Sequence, residues 1–279
     1  MKLMLRFLSL FITGFAVLIS TGMAPSFAAS SDWLTVSGGK MRLVTSASSD
    51  GKTLNAGLQI VLEDGWKTYW RTPGASGIPP QVSFLGSKNV ANASLMFPTP
   101  IVFPDGEGLS AGYKKEVMFP INLKRLSKIA PTTLSANGLV GICGEVCIPV
   151  QFSLSVTDNN SFGSQFDVVA ALNKANSNLI SASTASQNVS EVKFNETPSS
   201  HFKVIAQVPE GAKEAELHVE GPYNWYLSPV RASSINGTTA SFEIPLKSLP
   251  KDAKPTETKL KISLVVDGRG TQQEVTPTL

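Results

Sequence analysis

Cys143 and Cys147 are the two cysteines of the chain, and thiol chemistry is what their spacing first allows. They stand in Gly141-Ile142-Cys143-Gly144-Glu145-Val146-Cys147-Ile148-Pro149, between two runs with the patterning of strands. Upstream, Thr132 to Val140 carries apolar side chains into the pair. Downstream, Gln151 to Val156 alternates apolar and polar, the period of a half-buried strand. Gly144-Glu145-Val146 is short enough to join neighbouring antiparallel strands. Two cysteines flanking such a turn can reach the ~4.4–6.8 Å Cα separation of a disulfide. In an oxidising compartment a structural bridge is the default reading. A loop of about five residues, however, constrains the unfolded chain by only ~2 kcal/mol. Spacing alone leaves two readings open: a hairpin staple, or a pair that cycles between thiol and disulfide.

The oxidising compartment is implied by the N-terminus. Lys2 and Arg6, an apolar run from Phe7 to Ile19 and small residues ending Ser26-Phe27-Ala28 are laid out as a secretory signal peptide over residues 1–28. The run is shorter than the ~20 residues of a membrane span. We therefore expect cleavage near Ala28 and an exported mature chain with no integral membrane segment. Loss of Lys2 and Arg6 takes the formal charge from +3 to +1, which gives no electrostatic case for nucleic acid or an anionic membrane. At 279 residues the chain can bury a core without covalent staples, and chains of this size commonly split in two.

The elements that must position the cysteines read as β structure. Lys40–Val44 and Thr53–Leu62 are strands, the second placing Leu54, Ala56, Leu58, Ile60 and Leu62 on one face. Gly65 to Pro80 crowds Trp66, Tyr69 and Trp70 into a strand that enters a Pro/Gly-rich segment. Trp66 and Trp70 share strand parity and Tyr69 opposes them, so at least one of the three is expected nearer the surface. Val90–Phe97 and Lys115–Leu123 are further strands. The loop between them, Pro98–Tyr113, is of the length that functional or disordered loops have, and Asp105, Glu107 and Tyr113 are its chemically interesting members. Regular β structure is expected to end near Val156. Ser164-Gln165-Phe166-Asp167 resembles a capping box ahead of a short helix over Val168–Lys174, and the Ser/Ala/Asn-rich Ala175–Asn188 reads as a linker. A second β block follows, with strands at His201–Val208, Glu214–Val219, Ser241–Leu246 and Lys259–Val266. The fold class is all-β: an immunoglobulin-like β-sandwich over 30–158, a short helix and linker over 159–189, and a second, smaller β-sandwich domain over 190–279.

Four blocks of residues, in order over about residues 40–157, carry a family resemblance. Gly65-Trp66-Lys67-Thr68-Tyr69-Trp70-Arg71-Thr72-Pro73-Gly74-Ala75-Ser76-Gly77-Ile78-Pro79 resembles the opening signature of the N-terminal periplasmic domain of the bacterial disulfide reductase DsbD and its relatives. These relatives include the ScsB-like proteins of copper-tolerance systems. Phe97-Pro98-Thr99-Pro100, Gly112-Tyr113, Glu116-Val117 and Phe119-Pro120 resemble the blocks that follow, and the segment from Cys143 to Pro149 resembles the closing C-x-x-x-C-I-P. From Ala215-Glu216-Leu217 onward the similarity is weak.

The resemblance implies an immunoglobulin-like periplasmic domain with one reversible disulfide, to which Cys143 and Cys147 correspond. That disulfide receives electrons through a membrane-embedded thiol transporter and passes them to periplasmic thioredoxin-like oxidoreductases, through mixed disulfides. Tyr113 ends the loop that resembles the cap shielding the pair. Trp66, Tyr69, Val146 and Ile148 are expected to form an apolar rim around the sulfurs. Glu145 would raise the cysteine pKa values if it points inward, and Lys114 and Lys115 would offset it if the cap folds over the pair. Full-length relatives continue into a multi-span membrane domain and a thioredoxin domain. This sequence stops at Leu279, so the expected electron donor is a separate polypeptide.

The competing reading is an exported binding or adaptor module with a structural disulfide, linked to copper tolerance. Reduced Cys143 and Cys147 suit Cu(I), a soft ion that prefers thiolate and thioether ligands. Met41, Met96 and Met118 read as core filler, and His201 and His218, seventeen apart, lack the close spacing of metal ligands. No cofactor and no resident metal are expected. Hydrolase readings lack their parts: the chain has no His-Glu-x-x-His and no phosphate loop. A thioredoxin-type Cys-x-x-Cys is missing too.

Overall fold

The structure is a computed structural model that describes residues 27–47, 54–74, 76–106, 108–158, 166–195, 201–222, 225, 227–246, 249–250 and 252–279. Most of the expected signal peptide, Glu107, and Ser164 and Gln165 of the expected capping box lie outside these residues.

Twelve strands precede a helix: β1 (Phe27–Ser30), β2 (Leu34–Val36), β3 (Gly39–Ala47), β4 (Leu54–Leu62), β5 (Lys67–Tyr69), β6 (Gln81–Ser83), β7 (Val90–Leu95), β8 (Ile101–Asp105), β9 (Gly108–Lys114), β10 (Glu116–Arg125), β11 (Thr132–Cys143) and β12 (Cys147–Asp158). They form two facing sheets, one ordered β1-β3-β4-β10-β7 with β2 beside β3, the other β12-β11-β5-β9-β8 with β6 beside β11. The fold is the all-β, immunoglobulin-like sandwich that the sequence predicts. Strand alternation places Leu58, Ile60, Phe119, Leu134, Val140 and Ile142 between the sheets, where they are buried. Each such side chain contributes about 1.5–3 kcal/mol.

The helix α1 (Phe166–Ser177) starts before and ends after the expected Val168–Lys174. It covers the outer face of the first sheet, packing Val168, Leu172 and Ala175 on Ala28, Val44 and Met118. Strand β4 is thereby buried on both faces, and its residue under the helix is Gly57, where a Cβ would meet the Met118 and Leu172 side chains. The expected processing point falls inside β1: Ala28 pairs with Ser46 and is buried.

Nine strands follow: β13 (Ser181–Ala182), β14 (Asn188–Asn195), β15 (His201–Gln207), β16 (Ala215–Glu220), β17 (Val230–Arg231), β18 (Ser234–Asn236), β19 (Thr239–Pro245), β20 (Leu260–Val266) and β21 (Arg269–Val275). They make a second sandwich of one sheet ordered β13-β21-β20-β16-β17 and one ordered β14-β15-β19-β18. Its core is separate, around Phe202, Val204, Leu217, Phe242, Leu260 and Ile262. The segment read as a linker is partly ordered onto this sandwich: α1 runs to Ser177, β13 pairs in parallel with β21, and the Gln187 amide donates to the carbonyls of Leu264 and Arg269.

The long loop expected between Pro98 and Tyr113 is instead a β-hairpin, β8 paired with β9. Prolines and glycines concealed it in the sequence. β8 is a sheet edge, where Pro104 removes no ladder hydrogen bond that a neighbour needs, and Gly106 takes a φ of 59° at the turn. Between β9 and β10 the chain changes sheets at Lys115, φ 66°, so the strand expected from Lys115 begins one residue later.

Candidate functional site

The cysteines sit where β11 turns into β12. Cys143 and Cys147 are register partners with Cα atoms 4.0 Å apart, and their sulfurs are bonded. The twelve-residue ladder from Thr132↔Asp158 to Cys143↔Cys147 holds this pairing without recourse to the disulfide. The two positions differ in access: Cys143 is fully buried, whereas Cys147 is exposed.

Tyr69 is the side chain that links the disulfide to ionisable groups. Its hydroxyl lies 3.2 Å from Cys147 Sγ and donates to Asp105 Oδ2 at 2.9 Å. Asp105 also accepts from Lys67 Nζ at 2.8 Å. Burial, and then the Asp105 hydrogen bond and charge, push the Tyr69 phenol well above its ordinary pKa, so at neutral pH it is a hydrogen-bond donor and not a base. Burial alone would raise the Asp105 carboxyl, but hydrogen bonds from Lys67 and Tyr69 and the Lys67 charge outweigh it and hold the group below the usual carboxylate range. The result is a fixed carboxylate–phenol pair aimed at one sulfur of the disulfide.

Glycines make room for this aromatic. A Cβ at Gly77, φ 98°, would overlap the Tyr69 ring, and one at Gly141 would meet Ile78 and the same ring. Phe103, on the edge strand β8, is buried and forms a small apolar cluster with Tyr69 and Cys143. Its ring lies 6.3 Å from that of Tyr69. The ammonium groups of Lys67 and Lys114 approach the Phe103 ring at 5.5 and 5.3 Å, within cation–π range.

The other expected site residues divide. Trp66 lies against the backbone of Gly144 in the turn between the cysteines and fills the space over Gly38. Ile148 is half-buried and packs on the core cluster, while Glu145 and Val146 are exposed. Tyr113 does not reach the disulfide. It pairs with Thr68 on β9, is buried in the sandwich core edge-on to Phe119, and donates to the Pro98 carbonyl at 2.8 Å. Its strand parity turns it inward once the loop is recognised as a hairpin. Trp70 is also fully buried beyond the end of β5, where His218 of the second sandwich covers it at 5.0 Å between ring centroids.

Phe103 and Lys67 were not identified as site residues from sequence. The run Ile101-Val102-Phe103 ahead of Pro104 is a strand signal that could have found the first, and the register of Lys67 opposite Cys143 places the second. Met41 is buried in the sandwich core and Met118 in the cluster under α1, neither of which contains the cysteines. Among the described residues, no cluster of three or more His, Cys, Asp or Glu could hold a metal ion.

The architecture is thus an immunoglobulin-like sandwich with a disulfide at a strand corner, one half exposed and the other sealed under an aromatic hairpin. Residues 40–159 match the family model described as thiol:disulfide interchange protein DsbD, N-terminal, and this part of the chain is similar to that domain. The chain is also similar to the crystal structure of the N-terminal periplasmic domain of ScsB from Proteus mirabilis. That likeness has a TM-score of 0.73 and 22% sequence identity, and covers 90% of this chain and 99% of that one. It is a likeness of fold, and it spans both sandwiches. No curated protein matches the chain. Among the described residues, no helix is long and apolar enough to cross a membrane.

Proposed function

We propose that this chain is a periplasmic thiol–disulfide exchange protein that relays electrons through Cys143 and Cys147. Its partners would be a membrane-embedded thiol transporter and thioredoxin-like oxidoreductases. The observation that carries the reading is the asymmetry of the pair: an exposed Cys147 beside the Tyr69 hydroxyl, bonded to a buried Cys143 under Phe103. A bridge serving only to staple the hairpin requires neither an opening at one sulfur nor a phenol–carboxylate pair beside it.

In the reductive half-reaction a partner thiolate attacks Cys147 Sγ, the S–S bond breaks, and Cys143 leaves as a thiolate that takes up a proton. The partner's second thiol, once deprotonated, attacks the mixed disulfide and releases Cys147. The partner's dithiol is oxidised to a disulfide and the Cys143–Cys147 disulfide is reduced to two thiols, a transfer of two electrons and two protons. The Tyr69 hydroxyl stands 3.2 Å from the departing Cys147 sulfur and can donate to it by turning its single proton away from Asp105. Asp105, held ionised by Lys67, orients that phenol. The reverse sequence passes the electrons on. Mixing the reduced chain with a thioredoxin-fold protein whose Cys-x-x-Cys is oxidised should move two thiols per molecule to that protein. An unchanged thiol count on both proteins after prolonged incubation would overturn the proposal.

A further inference from the structure

The second sandwich touches the first at the residues next to those that cover the disulfide. Tyr69 is followed by Trp70, Arg71 and Thr72, and all three meet the second sandwich. Arg71 makes a two-pronged ion pair with Glu220, 2.7 Å from Nη2 and 3.0 Å from Nε, and its Nη2 also donates to Gln272 Oε1 at 2.8 Å. Thr72 Oγ1 donates to the same carboxylate at 3.2 Å. The Arg71 guanidinium lies 4.0 Å over the Trp70 ring, whose other neighbour is His218. Phe103 is preceded by Val102, and the Val102 carbonyl accepts from Arg231 Nη2 at 3.0 Å. Glu216 stands 3.6 Å from Arg231 Nε and orients it.

These contacts fall on otherwise weakly held backbone. β8 is the free edge of its sheet, so nothing within the first sandwich pairs with its outer side. β5 is three residues long. β8 is joined to its sheet through β9 alone, whereas bidentate arginine–carboxylate pairs are among the stronger and more directional polar contacts. The Val102 anchor is one residue from Phe103 and the Arg71 anchor two from Tyr69, short spans over which the backbone absorbs little displacement.

We propose that the second sandwich is a brace for the exchange site, in which Arg231 and the Arg71–Glu220 pair are positioning residues holding Phe103 over Cys143 and Tyr69 against Cys147. Releasing the brace lets β8 lift and uncovers Cys143, adding to the access that small thiols already have at Cys147. The proposal deepens the exchange reading and rests on it for its biological meaning, but access to the disulfide can be measured without any partner.

The test is the rate at which dithiothreitol reduces the oxidised full-length chain, followed by gel shift after maleimide labelling. Arg231→Ala should accelerate reduction roughly threefold to tenfold, the range that one lost hydrogen bond supplies. Glu220→Gln should change it in the same direction. In a Phe103→Ala background the Arg231 substitution should add little, because both act through one ring; such non-additivity is the signature of shared action, and a merely structural role would not produce it. If Arg231→Ala does not fold, Arg231→Lys and Glu220→Gln carry the test. Unchanged rates in folded variants, or effects that multiply independently of Phe103, would overturn the brace. Failure of the exchange reading would show separately, as a chain that dithiothreitol reduces at brace-dependent rates but that passes no electrons to a thioredoxin-fold protein.

Discussion

A Cys143→Ala chain will accumulate a mixed disulfide through Cys147 with a suitably trapped thioredoxin-fold protein, and a Cys147→Ser chain will form none. That protein has its second active-site cysteine replaced by alanine and its first activated as the thionitrobenzoate disulfide, so that trapping releases thionitrobenzoate. The difference follows from access. Cys147 is the exposed member, with the Tyr69 hydroxyl 3.2 Å from its sulfur, whereas Cys143 is sealed beneath Phe103. A thiol at 147 can therefore meet a partner and, with neither Cys143 nor a second partner cysteine to resolve it, stays bound. Alanine is the better replacement at the buried position, because a serine hydroxyl there would lose its hydrogen bonds to water at a cost of about 1–3 kcal/mol. Neither substitution should unfold the domain. A loop this short contributes only about 2 kcal/mol through the unfolded chain, against the 5–15 kcal/mol typical of a folded domain. In both variants, electron transfer through the chain should fall to the uncatalysed background while the melting transition persists. Equal trapping by the two single-cysteine variants would contradict the assignment of Cys147 as the sulfur that partners meet.

Acidification from pH 6.5 to pH 4.5 should cost the folded chain about 2 kcal/mol through one residue at the interface between the sandwiches. His218 is buried, and burial first, with the Arg71 charge second, lowers its folded pKa from 6.5 to about 3. The unfolded imidazole titrates near its ordinary value, so between those limits the unfolded chain binds a proton that the folded chain refuses. Stability is thus fully present above pH 6.5 and is lost as the pH falls toward 3, at about 1.4 kcal/mol per unit. Urea titrations at both pH values should show this loss in the wild type and much less of it in His218→Leu. Parallel pH dependence in the two proteins would show that His218 is not responsible. Neither ring nitrogen of His218 has a hydrogen-bond partner among the described residues, so the leucine variant is not expected to be strongly destabilised at neutral pH.

The cysteine hairpin was legible in the sequence because alternation and turn length act locally. Phe152, Leu154 and Val156 announce β12, Gly144-Glu145-Val146 announces the turn, and the register then sets Cys143 opposite Cys147. What surrounds the pair was less legible. The β8–β9 hairpin hides behind Pro104, Gly106 and Gly108, which local rules score as loop and which an edge strand tolerates. Tyr113 was placed in a cap when it belongs to the core, and Phe103 was overlooked for the same reason. The aromatics of Trp66-Lys67-Thr68-Tyr69-Trp70 obeyed parity only as far as β5 extends. Trp70 lies past its end and is buried by a residue 148 positions further on. Contacts such as Arg71 with Glu220 join side chains whose individual patterns give no sign of each other, and a short helix with an ordered strand occupied what composition marked as linker.

The most direct test of the account is the equilibrium between Cys143–Cys147 and glutathione, titrated over a range of redox buffers with the thiol state read by mass spectrometry. An exchangeable pair predicts a midpoint above roughly −300 mV, in the range where proteins pass electrons on. A midpoint well below that value would mark the bond as a permanent staple and contradict the exchange function.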